Sequence, residues 1–311
     1  MEEPVWLLLC ACCFVAVKKV WKHSNPVWHA GGNPIEKGDI MSQYVTVSDG
    51  TRIAVYDPNP GGRRAMLLLH GWPLSHDIFE YQIPFLLCRG YRVVTLDFRG
   101  FGDSEMTFAG YGYDRMAQDV NDVVRKLGLW NFVLGGFSMG GAVALRYMRR
   151  YGGYGVSRLM LFAAAAPSFT RRPGFPLGRK REEVEALIEQ ACADRAQLCY
   201  DFSHEQLLYG EHTEAIRNWL EDISLSASGH GTIQAAISLR DEDGRMDLEA
   251  VNVPAAIFQG GHDLVVPRDL TMYQQECITG SVLYELENSG HALMYDELQN
   301  FNNYMLEFIE K

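Results

Sequence analysis

The sequence predicts an open, mostly parallel, doubly wound α/β sheet of eight strands, interrupted by one helical insertion. Three observations predict it. Short unbroken apolar runs recur, such as Met66-Leu67-Leu68-Leu69 and Leu159 to Ala163, and a strand apolar on both faces is one buried on both faces of a parallel sheet. Between such runs lie apolar residues at helical spacing, among them Met116, Val120, Val123, Val124 and Leu127. Strand and helix therefore alternate, and the crossovers cover both sides of the sheet. Third, the run Phe132-Val133-Leu134 passes through Gly135-Gly136-Phe137-Ser138-Met139-Gly140-Gly141 directly into the helical pattern starting at Ala142. A strand that turns at once into a helix strains its tip residue and lifts that side chain clear. Small residues must flank it, because strand and helix pass so close.

In chain order, Tyr44 to Val47 and Arg52 to Tyr56 alternate around Ser48-Asp49-Gly50-Thr51 and read as a hairpin with Asp-Gly at its turn. Met66 to Leu69 is the first buried strand and ends in His70-Gly71-Trp72-Pro73. Ile78 to Cys88 reads as a helix bent or delayed by Pro84. Tyr91 to Leu96 is a strand that leads into Asp97-Phe98-Arg99-Gly100-Phe101-Gly102-Asp103-Ser104. After Leu159 to Ala163 the strand rhythm stops, and Glu183 to Tyr200, Thr213 to Ser226 and Thr232 to Leu239 carry helical patterns. It resumes with Ala255 to Gln259 as strand, Pro267 to about Gln275 as helix and Ser281 to Leu286 as the last strand. The final helix shows Leu298, Phe301, Met305, Phe308 and Ile309 on one face. The expected division is an extension over 1–40, a core in two parts over 41–166 and 248–311, and a helical cap over 167–247.

Bulk properties limit the partners. The chain has 311 residues, 47% hydrophobic and 22% charged, enough for one large core. A net charge of -11 argues against nucleic acid, which requires clustered basic residues. Arg149-Arg150, Arg171-Arg172 and Arg179-Lys180-Arg181 are short and read as solvated faces. Four of the seven cysteines (Cys88, Cys192, Cys199, Cys277) lie beyond residue 22, without metal-ligand spacing. They read as reduced, mostly buried thiols of a cytoplasmic protein, with no metal site. Val5 to Val17 is apolar but short of the ~20 residues that span a bilayer. With Val20, Trp21 and snorkelling Lys18, Lys19 and Lys22 it makes a marginal anchor, so membrane association through residues 1–22 is the alternative to an extension with no role in the fold. Cys10, Cys12 and Cys13 would be acylation sites in that alternative.

Functional side chains in open parallel sheets collect on loops at the carboxyl ends of strands. Those loops hold Trp72, Ser138, Asp263 and His291. A serine hydroxyl needs an imidazole to take its proton, and the imidazole needs a carboxylate to fix its tautomer. The order Ser, Asp, His suits that relay on a nucleophile elbow. The competing Asp97 precedes Arg99 and a glycine-rich turn and reads as a loop stabiliser. His70 and His262 read as structural hydrogen-bonders.

Together, His70-Gly71-Trp72-Pro73, Asp97 to Ser104, Gly136-Phe137-Ser138-Met139-Gly140-Gly141 and Ser289-Gly290-His291 resemble the α/β-hydrolase superfamily. More narrowly the chain resembles the bacterial arylesterases and cofactor-free haloperoxidases (perhydrolases). The likeness extends into the cap through Asp194-Arg195-Ala196-Gln197, Asp201-Phe202 and Tyr209-Gly210, and covers about residues 42 to 311. It implies that Ser138 attacks an acyl carbonyl, His291 acts as base and then acid, and Asp263 orients it. The Trp72 and Met139 N–H groups would hold the oxyanion, with Phe137 and Pro73 as pocket wall. It implies a homo-oligomer, a small-molecule ester as partner and no cofactor, since peracid formed by peroxide attack on the acyl-enzyme oxidises halide without a metal. Pro73 after Trp72 resembles the haloperoxidases, and restriction of residue 72 by the proline would re-aim its carbonyl toward peroxide. Aromatic residues of the cap (Phe169, Phe175, Tyr200, Phe202, Trp219) suggest small to medium apolar esters. A carbon–carbon bond hydrolase or lactonase uses the same triad, and a non-catalytic ligand receptor is the reading from a different class.

Overall fold

The computed structural model describes residues 42–311. The expectations for residues 1–40, anchor, acylation sites and extension alike, lie outside the described residues. No described helix is long and apolar enough to cross a membrane.

Eight strands form one sheet: β1 (Ser42–Thr46), β2 (Arg52–Tyr56), β3 (Ala65–Leu69), β4 (Arg92–Leu96), β5 (Phe132–Phe137), β6 (Val156–Phe162), β7 (Ala255–Gly260) and β8 (Val282–Leu286). Their order is β1-β2-β4-β3-β5-β6-β7-β8. The hairpin β1–β2 and its junction with β4 are antiparallel, and every other pairing is parallel. Side chains alternate across the sheet as strand geometry demands. Leu67, Leu69, Leu134 and Leu161 lie in a core with α2 (Tyr113–Lys126), α3 (Met139–Tyr151) and α9 (Arg268–Cys277). Met66, Leu68, Val133 and Met160 lie in a second core with α1 (Gln82–Leu87) and α11 (Leu298–Glu310). The apolar runs are thus strands buried on both faces.

The run through Pro84 divides. A 3-10 turn covers His76–Phe79, and the α-helix starts at Gln82, which places the proline in the first turn, where no intrahelical N–H bond is lost. Between β6 and β7 the chain builds α4 (Arg181–Ala193), α5 (Arg195–Asp201), a π-helical turn at Phe202–Gln206, α6 (Glu214–Leu225), α7 (Gly229–Asp241) and α8 (Arg245–Leu248). The continuous pattern over Glu183 to Tyr200 is two helices, not one. Asp194 ends the first and caps the second, accepting the Gln197 N–H at 3.0 Å. Isolated bridges at Thr170–Arg179 and Arg172–Phe175 fold the chain back on itself ahead of α4. The basic pairs are not all solvated: Arg172 donates to Ser168 Oγ at 2.7 Å and to Glu242 O at 2.8 Å. Of the described cysteines, only Cys199 is buried and Cys192 is exposed, and no disulfide joins two of them.

Candidate active site

The elbow is built as its glycines require. Ser138 sits between β5 and α3 at φ 53 and ψ -117, a conformation costing a non-glycine residue about 1–3 kcal/mol unless its surroundings hold it there. They do. Ser138 N–H donates to Phe162 O at 2.9 Å, and Ser138 O accepts from Gly141 and Ala165, each at 3.0 Å. A Cβ on Gly136 would come within 2.4 Å of Gly140 O, and one on Gly140 within 2.4 Å of His70 O. Strand, helix and the loop after β3 meet here with no room for a methyl group.

Asp263 lies on the loop after β7 and His291 on the loop after β8, both side chains fully buried. His291 Nδ1 is 2.8 Å from Asp263 Oδ2. A carboxylate only accepts, so Nδ1 carries the proton. Asp263 is itself fixed by the Val265 and Val266 N–H groups, which donate to Oδ1 at 2.8 and 2.9 Å. The imidazole packs on Phe137, ring centroids 4.8 Å apart, which brings it beside the elbow. Its Nε2 is buried and has no hydrogen-bond partner among the described residues. Six other buried side-chain atoms of the described residues also lack a partner, so the orphaned nitrogen gains its meaning from its place beside the elbow. The hydroxyl of Ser138 also makes no hydrogen bond to a described residue, a separation common before substrate tightens such a site.

The loop after β3 runs beside the serine: a Cβ on Gly71 would stand 2.9 Å from Ser138 Cβ. Its Trp72 N–H and the Met139 N–H at the start of α3 donate to no described residue. Met139 N–H also opens a helix, where unpaired amides favour negative charge. The Trp72 indole reaches away, donating to Thr232 O in α7 at 2.8 Å and meeting Phe202 edge-on. His70 holds this loop. Phe98 N–H donates to its Nε2 at 2.9 Å, so the ring is neutral, and Nδ1–H donates to Gly71 O at 2.8 Å. Burial pushes its pKa down to about 4.

Ser138 opens into a cavity of about 30 Å³, room for roughly a water or two. Trp72, Phe169, Phe202 and Val265 line it, together with Arg179 and Gln206. Several expected wall residues lie elsewhere. Phe137 is fully buried under His291 and Gly71, Pro73 is buried, and neither lines the cavity. Phe175 packs on Tyr273, while Tyr200 and Trp219 are exposed on the outer side of the helices. The sequence carries no signal for Arg179 and Gln206: the first sits in a basic triplet, and the second lies between the helical patterns over Glu183 to Tyr200 and Thr213 to Ser226. No periodicity shows which of them turns inward.

The competing acid is fully engaged. Asp97 accepts from His76 N–H at 2.8 Å, Asp103 N–H at 2.9 Å and Tyr56 O–H at 3.1 Å, and lies 3.0 Å from His76 Nδ1. His262 is exposed: its ring stacks on Tyr209 at 3.6 Å, and its main-chain N–H, not the ring, donates to Ser289 O at 2.8 Å. No cluster of His, Cys, Asp and Glu able to hold a metal ion occurs among the described residues.

The pattern of the alpha/beta hydrolase fold family matches residues 64–298, and the chain belongs to that family. Its relatives mark it as a hydrolase. An esterase from Exiguobacterium antarcticum superposes with a TM-score of 0.84 at 41% identity, over 87% of this chain and 100% of that one. A bromoperoxidase from Bacillus anthracis superposes with a TM-score of 0.82 at 30% identity, covering 87% of this chain and 100% of that one. A bifunctional esterase/perhydrolase of Acinetobacter calcoaceticus is 29% identical over 275 residues, 86% of this chain and 99% of the relative.

Proposed function

We propose that the protein is a serine hydrolase of small carboxylic esters that works through Ser138, His291 and Asp263, with residues 167–247 as a cap over the core parts 41–166 and 248–311. One observation carries the reading: a buried imidazole with Nδ1 fixed by a carboxylate and Nε2 unpartnered, beside a serine held in a strained elbow. In this mechanism Nε2 takes the Ser138 proton as Oγ attacks the ester carbonyl. The Trp72 and Met139 amides receive the negative charge of the tetrahedral intermediate, an interaction stronger in the transition state than in the ground state. His291 then protonates the departing alkoxide, and water attacks the acyl-enzyme by the reverse relay. Hydrogen peroxide in place of that water would release a peracid and the free serine, with no metal required. The relatives named for perhydrolysis and bromoperoxidase activity favour this second outcome.

The test is hydrolysis of 4-nitrophenyl acetate by wild type and Ser138→Ala, with and without hydrogen peroxide, monitoring peracid. Cleavage is expected to fall by about 10⁶-fold in the variant, and peracid is expected only when wild type and peroxide are both present. Unchanged cleavage by folded Ser138→Ala would remove the serine mechanism. Absence of peracid would leave an esterase alone.

A further inference from the structure

The cavity over Ser138 is apolar apart from the serine and two side chains contributed by the inserted helical segment, Arg179 and Gln206. The main chain of Arg179 is pinned, its N–H donating to Phe169 O at 2.9 Å and its carbonyl accepting from Arg171 N–H at 2.8 Å. One end of the guanidinium, Nη1, donates to Leu264 O at 3.2 Å, on the loop that carries Asp263. Glu183 is the nearest acid, but its Oε2 stands 3.8 Å from Arg179 Nε, and that oxygen already accepts the Lys180 N–H at 2.7 Å. Among the described residues Arg179 makes a side-chain hydrogen bond through Nη1 alone, and the Gln206 amide makes none. A latch between cap and core would explain the bond to Leu264 O. It does not use the spare donors of a guanidinium, one third exposed, whose residue lines the cavity together with Ser138. Solvent and the Glu183 carboxylate offset part of the charge, and the remaining donors are left for a further acceptor. The donors Arg179 retains fit a carboxylate, which a guanidinium fork binds more strongly than a neutral acceptor.

We propose that the site selects esters bearing a second, anionic group, a carboxylate held by Arg179 with Gln206 donating beside it, the cavity of about 30 Å³ widening to admit the ester. The proposal rests on the esterase reading of Ser138 and names its substrate class. Because the chain carries a net charge of -11, this attraction is local, not a long-range field.

Two matched pairs test it in wild type, Arg179→Met and Arg179→Lys. 4-Nitrophenyl hydrogen glutarate against 4-nitrophenyl pentanoate places the carboxylate on the acyl side. 4-Acetoxybenzoate against 4-methylphenyl acetate places it on the alcohol side. In one arm, wild type is expected to favour the anionic member, and the ratio of kcat/KM values should fall by about 10- to 100-fold in Arg179→Met. The loss should appear mainly in KM for the anionic ester, and the neutral ester, cleaved by the same variant, corrects for any effect of losing the bond to Leu264 O. Arg179→Lys, which keeps the charge without the fork, should fall between. Ratios equal in wild type and Arg179→Met in both arms would overturn the proposal. Titration of monomethyl glutarate and of 4-acetoxybenzoate into Ser138→Ala, alone and with Arg179→Met, separates this proposal from the esterase reading. If wild type cleaves neither pair the esterase reading falls, and binding that requires Arg179 would still uphold the anion site. Binding indifferent to Arg179 would sink it.

Discussion

Two buried histidines stand on loops at the same edge of the sheet, and they are built to opposite ends. His70, after β3, spends both ring nitrogens, one accepting from Phe98 N–H and the other donating to Gly71 O. His291, after β8, spends one on Asp263 and keeps Nε2 without a partner among the described residues. Both rings are fully buried. Burial therefore does not separate the two histidines; the unspent nitrogen does. The first stabilises a loop that presents the Trp72 amide, and the second retains a free base next to Ser138.

The largest test of the contrast is His291→Gln. It removes the base, so ester cleavage is expected to drop by about 10⁶-fold, while stability falls only by the lost packing on Phe137, because the glutamine amide can still donate to Asp263. A large loss of stability with retained turnover would invert the assignment. Asp263→Asn follows. The Val265 and Val266 N–H groups, which now donate to Oδ1, would hold the oxygen of the substituted amide and turn its NH₂ toward Nδ1. That forces the proton onto Nε2, which then cannot accept from Ser138, and kcat is expected to fall by about 10⁴-fold. A change under about tenfold would show that Asp263 does not set the tautomer.

His70→Gln should show the opposite signature: a stability defect, with turnover per folded molecule kept within about tenfold. Its pH dependence is also defined. A folded pKa of about 4 against 6.5 unfolded means that the unfolded chain binds the extra proton. Wild-type stability is then fully present above 6.5 and is lost as pH falls toward 4, by about 3 kcal/mol. Urea titrations across that window should show this slope in wild type and a flatter one in the variant.

The smallest effect belongs to His76. Burial opposes its protonation, but the hydrogen bond to Asp97 and the surrounding carboxylates prevail and raise its pKa. The charged pair stabilises fully below the ordinary value of 6.5 and fades as pH rises through the raised folded value. Asp97 moves the other way. Burial would raise its pKa, yet His76 holds it below the usual carboxylate range, so it stays charged through that window. His76→Gln should cost about 1 kcal/mol near pH ~6 and less near pH ~9. Equal losses at both would show that charge has no part in the pairing.

Much of this was legible in the sequence because it depends on local rules. Apolar runs such as Met66 to Leu69 must be buried on both faces, and a Gly-x-Ser-x-Gly between strand and helix leaves the serine only one place to go. The order of loops then lines up Ser138, Asp263 and His291 at one sheet edge. Only the tertiary structure decided what meets across that edge. Phe137 passes under His291 instead of facing the cavity, and Tyr200 and Trp219 face outward. Arg179, from a triplet that reads as solvated, is only a third exposed and lines the same cavity as Ser138. Strand periodicity specifies which face a residue occupies within its own element. Which side chains of a long helical insertion cover the sheet's edge is set by how that segment packs, through contacts remote in sequence.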